Sequence, residues 1–132
     1  MTGLVPYLLF PGTAADALPF YQTIFGGEAV LHTYAEFGRA DGPGDAIAHG
    51  MLLGGPVELA AADAAPDEDA VHMNGMYFSL LGTADAATLT HWFAQLGDGG
   101  RVIDPLQERP WGAHVGTLVD RVGVRWLVGY ED

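Results

Sequence analysis

Apolar runs broken at short intervals by glycine and proline divide the chain into strands and two helices. The first run, LVPYLLF at 4–10, is continuous and stops at Pro11-Gly12, the pattern of a buried strand. Ala14, Ala17, Leu18, Tyr21, Ile24 and Phe25 then recur at helical spacing, with Asp16 in the first turn and Thr13 placed to cap. Gly26-Gly27 closes that helix, because a glycine just past the last turn takes the left-handed conformation at little cost. Pro19 conflicts with a helix that begins at Ala14, since proline at that depth removes a backbone hydrogen bond. The spacing therefore predicts an irregular first turn or a start near Asp16.

Strands are predicted at 28–37, 46–53 and 57–62, the last two joined by the turn Gly54-Gly55-Pro56. An acidic, proline-containing stretch at 63–75 with few large apolar residues reads as a linker. The pattern then restarts. A strand at 76–82 precedes a helix capped by Thr83, with Ala86, Leu89, Trp92, Phe93 and Leu96 on one face. Gly99-Gly100 follows, and RVIDPL, GAHVGTLVD and RWLVGYE supply three more strands. FYQTIFGG in the first half answers to WFAQLGDGG in the second, about seventy residues later. Each half reads β-α-β-β-β, so the order of elements points to an internal duplication.

Charge and composition narrow the chemistry. The 132 residues suit one compact domain, with module one at about 4–63 and module two at about 75–131. Seventeen acids against five bases give a formal charge of −12, which argues against nucleic-acid partners and against docking on anionic membranes. All five bases are arginine, so Schiff-base lysine chemistry is excluded; without cysteine, so are thiol nucleophiles, disulfides and cysteine-based zinc sites. The lone serine, Ser79, lies inside an apolar strand with no histidine in its sequence context. No basic, apolar leader and no apolar run of membrane-spanning length are visible, so a cytoplasmic protein is expected.

Five segments in order, FYQTIFGGE, DAIAHGMLLGG, LAAADAAP, GGRVIDPLQERPWGAHVG and DRVGVRWLVGYE, resemble the vicinal oxygen chelate superfamily. That superfamily embraces glyoxalase I, extradiol dioxygenases and bleomycin-resistance proteins, and the match is to its PhnB-like branch. The resemblance implies an α+β fold of two βαβββ modules in a curved eight-stranded mixed sheet, with helices on the outer face. It also implies a ligand cavity on the concave face and a homodimer. Members of this branch are often labelled methyltransferases, but no glycine-rich strand-to-helix nucleotide motif is present here.

Metal-using members hold their ion with His and Glu from the first and last strand of each module, and the ion chelates substrate oxygens. Carried onto this chain, those positions fall on Pro6, near Leu127 and among Met76, Tyr77 and Phe78, none of which supplies His or Glu. Glu58 alone lies close to an expected position. No tightly bound cofactor is expected, and a divalent metal is disfavoured.

Two residues remain as catalytic candidates. His49 is a cavity base or lone ligand, or else a satisfied core histidine; alternation places it with Ile47, Met51 and Leu53. Glu58 is a general base or residual ligand, or else an outward residue paired with an arginine. Phe10, Met51, Trp111 and His114 are the candidate ligand-binding residues. Trp111 is read as a pocket wall or a packed lid, and His114 as a partner for His49 and Glu58 if they converge. Asp63 and Asp120 are explained by turn chemistry. The expected function is small-molecule binding; a metal-dependent lyase, isomerase or dioxygenase and a drug-sequestering protein are the alternatives.

Overall fold

A computed structural model describes residues 3–131. The chain divides into two compact units, Met1–Val71 and His72–Asp132. The first contains β1 (Tyr7–Phe10), α1 (Ala14–Phe25), β2 (Glu28–Thr33), β3 (Ile47–Leu53) and β4 (Leu59–Asp63). The second contains β5 (Phe78–Leu81), α2 (Ala86–Gly97), β6 (Arg101–Glu108), β7 (His114–Val119) and β8 (Arg125–Tyr130). The topology is duplicated. Each unit forms a four-stranded sheet, ordered β1-β4-β3-β2 and β5-β8-β7-β6, in which the first strand lies parallel to the last and the other pairs are antiparallel. This is the α+β, two-module arrangement expected. Among the described residues no helix is long and apolar enough to cross a membrane.

In both units a helix-facing glycine lets the helix lie close to its sheet. A Cβ at Gly50 on β3 would come within 2.6 Å of Leu18 Cδ1 on α1. A Cβ at Gly116 on β7 would meet Phe93 of α2 at 2.9 Å and the Leu106 backbone at 2.6 Å. Each glycine therefore leaves the hole that its helix's apolar knob fills. The cross-strand partners Gly50, Ala61 and Leu8 share the α1-facing side. So do Gly116 with Val128, and Leu118 with Trp126, on the α2-facing side. Leu18, Tyr21, Leu52 and Ala61 are fully buried in the first unit, and Leu89, Leu96, Leu118 and Val128 in the second.

The caps differ from expectation. Thr13 makes no side-chain cap; Asp63, at the end of β4, accepts the Ala14 N–H through Oδ1 at 2.9 Å. Its Oδ2 accepts the Ile47 N–H at 2.8 Å, so this one buried carboxylate ties β4, α1 and β3 together. α1 begins at Ala14 and keeps Pro19 inside, its first turn tightened by Asp16 and Ala17 N–H groups that both donate to the Thr13 carbonyl. α2 is capped by Asp85 and not by Thr83: the Asp85 side chain accepts the Thr88 N–H at 2.8 Å. Strand β2 ends at Thr33, four residues short of its predicted limit. Past it, Thr33 and Glu36 exchange side-chain-to-backbone bonds and the chain turns.

Candidate functional site

With one face of each sheet covered by a helix, alternation sends the remaining side chains to the opposite, open face. In the second unit that face carries Leu81, Gly129, Val115 and Gln107 in one cross-strand row, and Ser79, Leu127, Thr117 and Asp104 in the next. A cleft of about 500 Å³ opens there, lined by residues of β5, β7 and β8 and their flanks, among them Leu81, Trp111, Val115, Gly129, Tyr130 and Glu131. Its floor depends on Gly129. A Cβ there would approach the His114 carbonyl at 2.6 Å, Leu81 Cδ2 at 3.0 Å and Val115 Cγ2 at 3.2 Å.

Trp111 forms one wall and is 71% exposed, whereas Trp92 and Trp126 are buried. It stands at the tip of the β6–β7 hairpin, where the Gly112 N–H donates to the Arg109 carbonyl at 2.8 Å. Pro110 supplies the fixed φ of the first central turn residue, and Gly112 has φ +97°, a conformation that any side chain would strain. Arg109 pins the hairpin. Its guanidinium donates to the Val115 carbonyl at 2.7 Å and the Pro105 carbonyl at 3.1 Å, and it pairs with Asp104 at 3.0 Å. His114 starts β7 just behind the loop, its ring stacked on Tyr130 with centroids 4.8 Å apart.

On the open face of the first sheet, Tyr7, Ala60 and Met51 are cross-strand partners. His49, two residues before Met51, shares this face, and His32 is its partner on β2. The Tyr7 hydroxyl lies 2.9 Å from His49 Nδ1, and the two rings stack 5.6 Å apart at 26°. Burial, and after it the negative charge of Glu68, pushes the Tyr7 phenol above its ordinary value of 10.0. His32 stacks instead on Phe37 and contacts Glu36 at 3.3 Å.

The six candidate residues fall in both units: Phe10, His49, Met51 and Glu58 in the first, Trp111 and His114 in the second. Trp111 lines the cleft, and His114 lies next to it through Tyr130. His49 and Met51 share the open face of the first sheet. Phe10 does not belong with them: it has no exposed surface and shares the α1-facing side with Leu8, so it is core where a ligand contact was expected. Alternation from a β1 with Tyr7 outward requires this. Glu58 precedes β4, and its Oε2 accepts the Gly54 N–H at 3.1 Å, so its partner is the β3–β4 turn and not an arginine. Extending the β3–β4 register sets Glu58 opposite Leu53, four residues or roughly 13 Å along the strand from His49. Tyr7, Arg109, Gly129 and Tyr130 were not singled out by the sequence. The PWG turn marked the Trp111 loop, but Arg109's carbonyl partners and the open space above Gly129 arise only from pairing.

Residues 3–128 match the Glyoxalase/Bleomycin resistance protein/Dioxygenase superfamily, and the chain belongs to it. Protein YjdN of Escherichia coli (strain K12) is 25% identical over 138 residues, covering 95% of this chain and 92% of that protein. The crystal structure of protein PA1353 from Pseudomonas aeruginosa is similar with TM-score 0.81 and 32% identity, covering 99% of this chain and 98% of that one. A Bacillus cereus PhnB protein, described as a putative 3-demethylubiquinone-9 3-methyltransferase, shares the fold with TM-score 0.81 at 20% identity, covering 98% and 99%.

The superfamily's divalent ion does not fit the donors present. Pro6 offers only its backbone carbonyl, which accepts the Ala60 N–H at 2.9 Å. Leu127 is paired with Ser79 and Thr117. Among the described residues, no three His, Cys, Asp or Glu side chains are grouped so as to hold an ion. A tight site needs three or four such donors in fixed geometry.

Proposed function

We propose that this protein binds a small molecule in the Trp111 cleft, a ligand with an aromatic or apolar body and a positive charge, without a resident metal ion. The observation that carries the reading is an exposed tryptophan, on a hairpin that Arg109 braces, beside a cleft whose floor is kept open by Gly129. An aromatic side chain left in solvent on a braced turn offers area for stacking at little entropic cost. Glu131 in the cleft lining and the −12 charge favour a cationic ligand, because the summed field concentrates cations near the protein.

Tryptophan fluorescence tests this with a panel of cationic aromatic fragments. Saturable quenching that disappears in W111F supports the reading; quenching that persists in W111F contradicts it. The same cationic preference favours sequestration of a bleomycin-type drug as a second reading, with bleomycin itself as the probe. A catalytic role for His49 and Glu58 is the less supported alternative, because turn bonding already occupies Glu58 and register keeps the two apart. The reading extends to a cytoplasmic homodimer. Exposed Val102 and Ile103 on the edge strand β6 are the apolar surface that favours association. Light scattering should then give twice the 13.9 kDa chain mass.

A further inference from the structure

The Tyr7–His49 pair lies in the first unit, outside the Trp111 cleft, and neither turn chemistry nor core packing accounts for it. Tyr7 is on β1 and His49 on β3, so the pair spans the intervening strand β4. Two strand spacings are about 9.5 Å, a gap that a tyrosine crosses only over small side chains. β4 supplies them. Ala60 is the direct partner of both Tyr7 and Met51, and Ala62 follows on the same face. The outcome is a polar pair on a sheet face that also carries Met51, Ala60, Ala62 and, across from His49 on β2, His32.

We propose that Tyr7 is a positioning residue that fixes His49 as the Nε2–H tautomer, so that His49 presents a hydrogen-bond donor to an oxygen acceptor on a small ligand. A neutral imidazole has one donor and one acceptor nitrogen, and the partner of one decides the role of the other. The Tyr7 hydroxyl can donate to Nδ1. A phenol that gives up its proton less readily than usual keeps that role throughout the neutral range, which agrees with the upward direction of the Tyr7 shift. Nδ1 is then the acceptor and the proton sits on Nε2, on the far side of the ring. Ring stacking at 26° holds the imidazole plane while the hydroxyl fixes its rotation. Among the described residues, Tyr7 is the hydrogen-bond partner of His49. The ligand class is one bearing a neutral carbonyl oxygen, since the −12 charge disfavours anions. The assignment holds whether or not the Trp111 cleft binds anything.

Long-range proton–nitrogen NMR on the nitrogen-15-labelled full chain, at a pH where His49 is neutral, reads the tautomer directly. The expected wild-type result is a single species with the proton on Nε2. Y7F keeps the ring and its stack but removes the hydroxyl, and His49 should then show a mixture of both tautomers with amide dispersion unchanged. A proton on Nδ1 in the wild type, or the same single tautomer in Y7F, would overturn the assignment.

Discussion

The Trp126 indole N–H donates to Asp120 Oδ2 at 2.9 Å, and the other carboxylate oxygen accepts the N–H groups of Val122 and Val124 at 3.0 Å each. Asp120 therefore closes the β7–β8 turn and satisfies the indole of a tryptophan that is 1% exposed. Both functions depend on a residue that is itself buried. D120A should cost roughly 3 kcal/mol, because it strands buried donors that water cannot reach. D120N should recover only part of this, since its amide can place an acceptor toward the turn or toward the indole but not both. Urea unfolding of the two variants checks the order.

Gly116 gives a test of packing without polar chemistry. Its added Cβ would meet backbone atoms of Leu106 at 2.6 and 2.7 Å, which cannot swing aside as a side chain can. G116A should destabilise by about 1–3 kcal/mol. G50A should cost less, because its nearest obstacle is the flexible end of Leu18. Equal midpoints for the two variants in chemical denaturation would contradict this ranking.

The α2 cap makes part of the stability pH-dependent. Hydrogen bonding to the Thr88 side chain, and after it to the Thr88 N–H, holds the Asp85 carboxyl below its ordinary 3.8. A carboxylate depressed in the folded state stabilises above its unfolded value and loses that contribution as pH falls through the folded one. The Tm advantage of wild type over D85A should thus be constant above pH 5 and shrink on acidification below about 3.8. Calorimetry across that range checks the sign; an advantage that grows toward acid would contradict it.

Trp111 and Arg109 should separate stability from function. W111A should leave stability within roughly 0.5 kcal/mol, since the side chain is mostly in water. R109A should cost more, by losing bonds to two carbonyls and the Asp104 pair, and it should also weaken ligand binding by loosening the loop. Thermal melts combined with fluorescence titration distinguish the two.

Local periodicity carried the element order and the duplication, because each strand and helix has an apolar face that repeats along the chain. Features made by distant residues were not legible. Asp63 caps α1 from 49 residues away, and a nearby threonine looked like the obvious donor of that service. Phe10 turns inward because the even positions of β1 face α1, a parity that the continuous apolar run 4–10 does not reveal. The register shift between His32 and Thr33 likewise leaves Ile47 buried, and simple alternation put it beside His49. Trp111 and His49 were legible as candidates from residue type and local pattern. Their anchors, Arg109 and Tyr7, were not, because a carbonyl acceptor or a ring reaching over β4 leaves no mark on nearby sequence.

The most direct test of ligand binding at the Trp111 cleft is a backbone-amide NMR titration of the full chain with the cationic aromatic fragment panel. Binding there should shift the Ala113, Val115, Gly129 and Tyr130 amides together and saturably, because these residues line one cleft. W111A should abolish those shifts while leaving the rest of the spectrum in place. Fragments that bind only elsewhere, or a panel that leaves these four amides unmoved, would contradict the account.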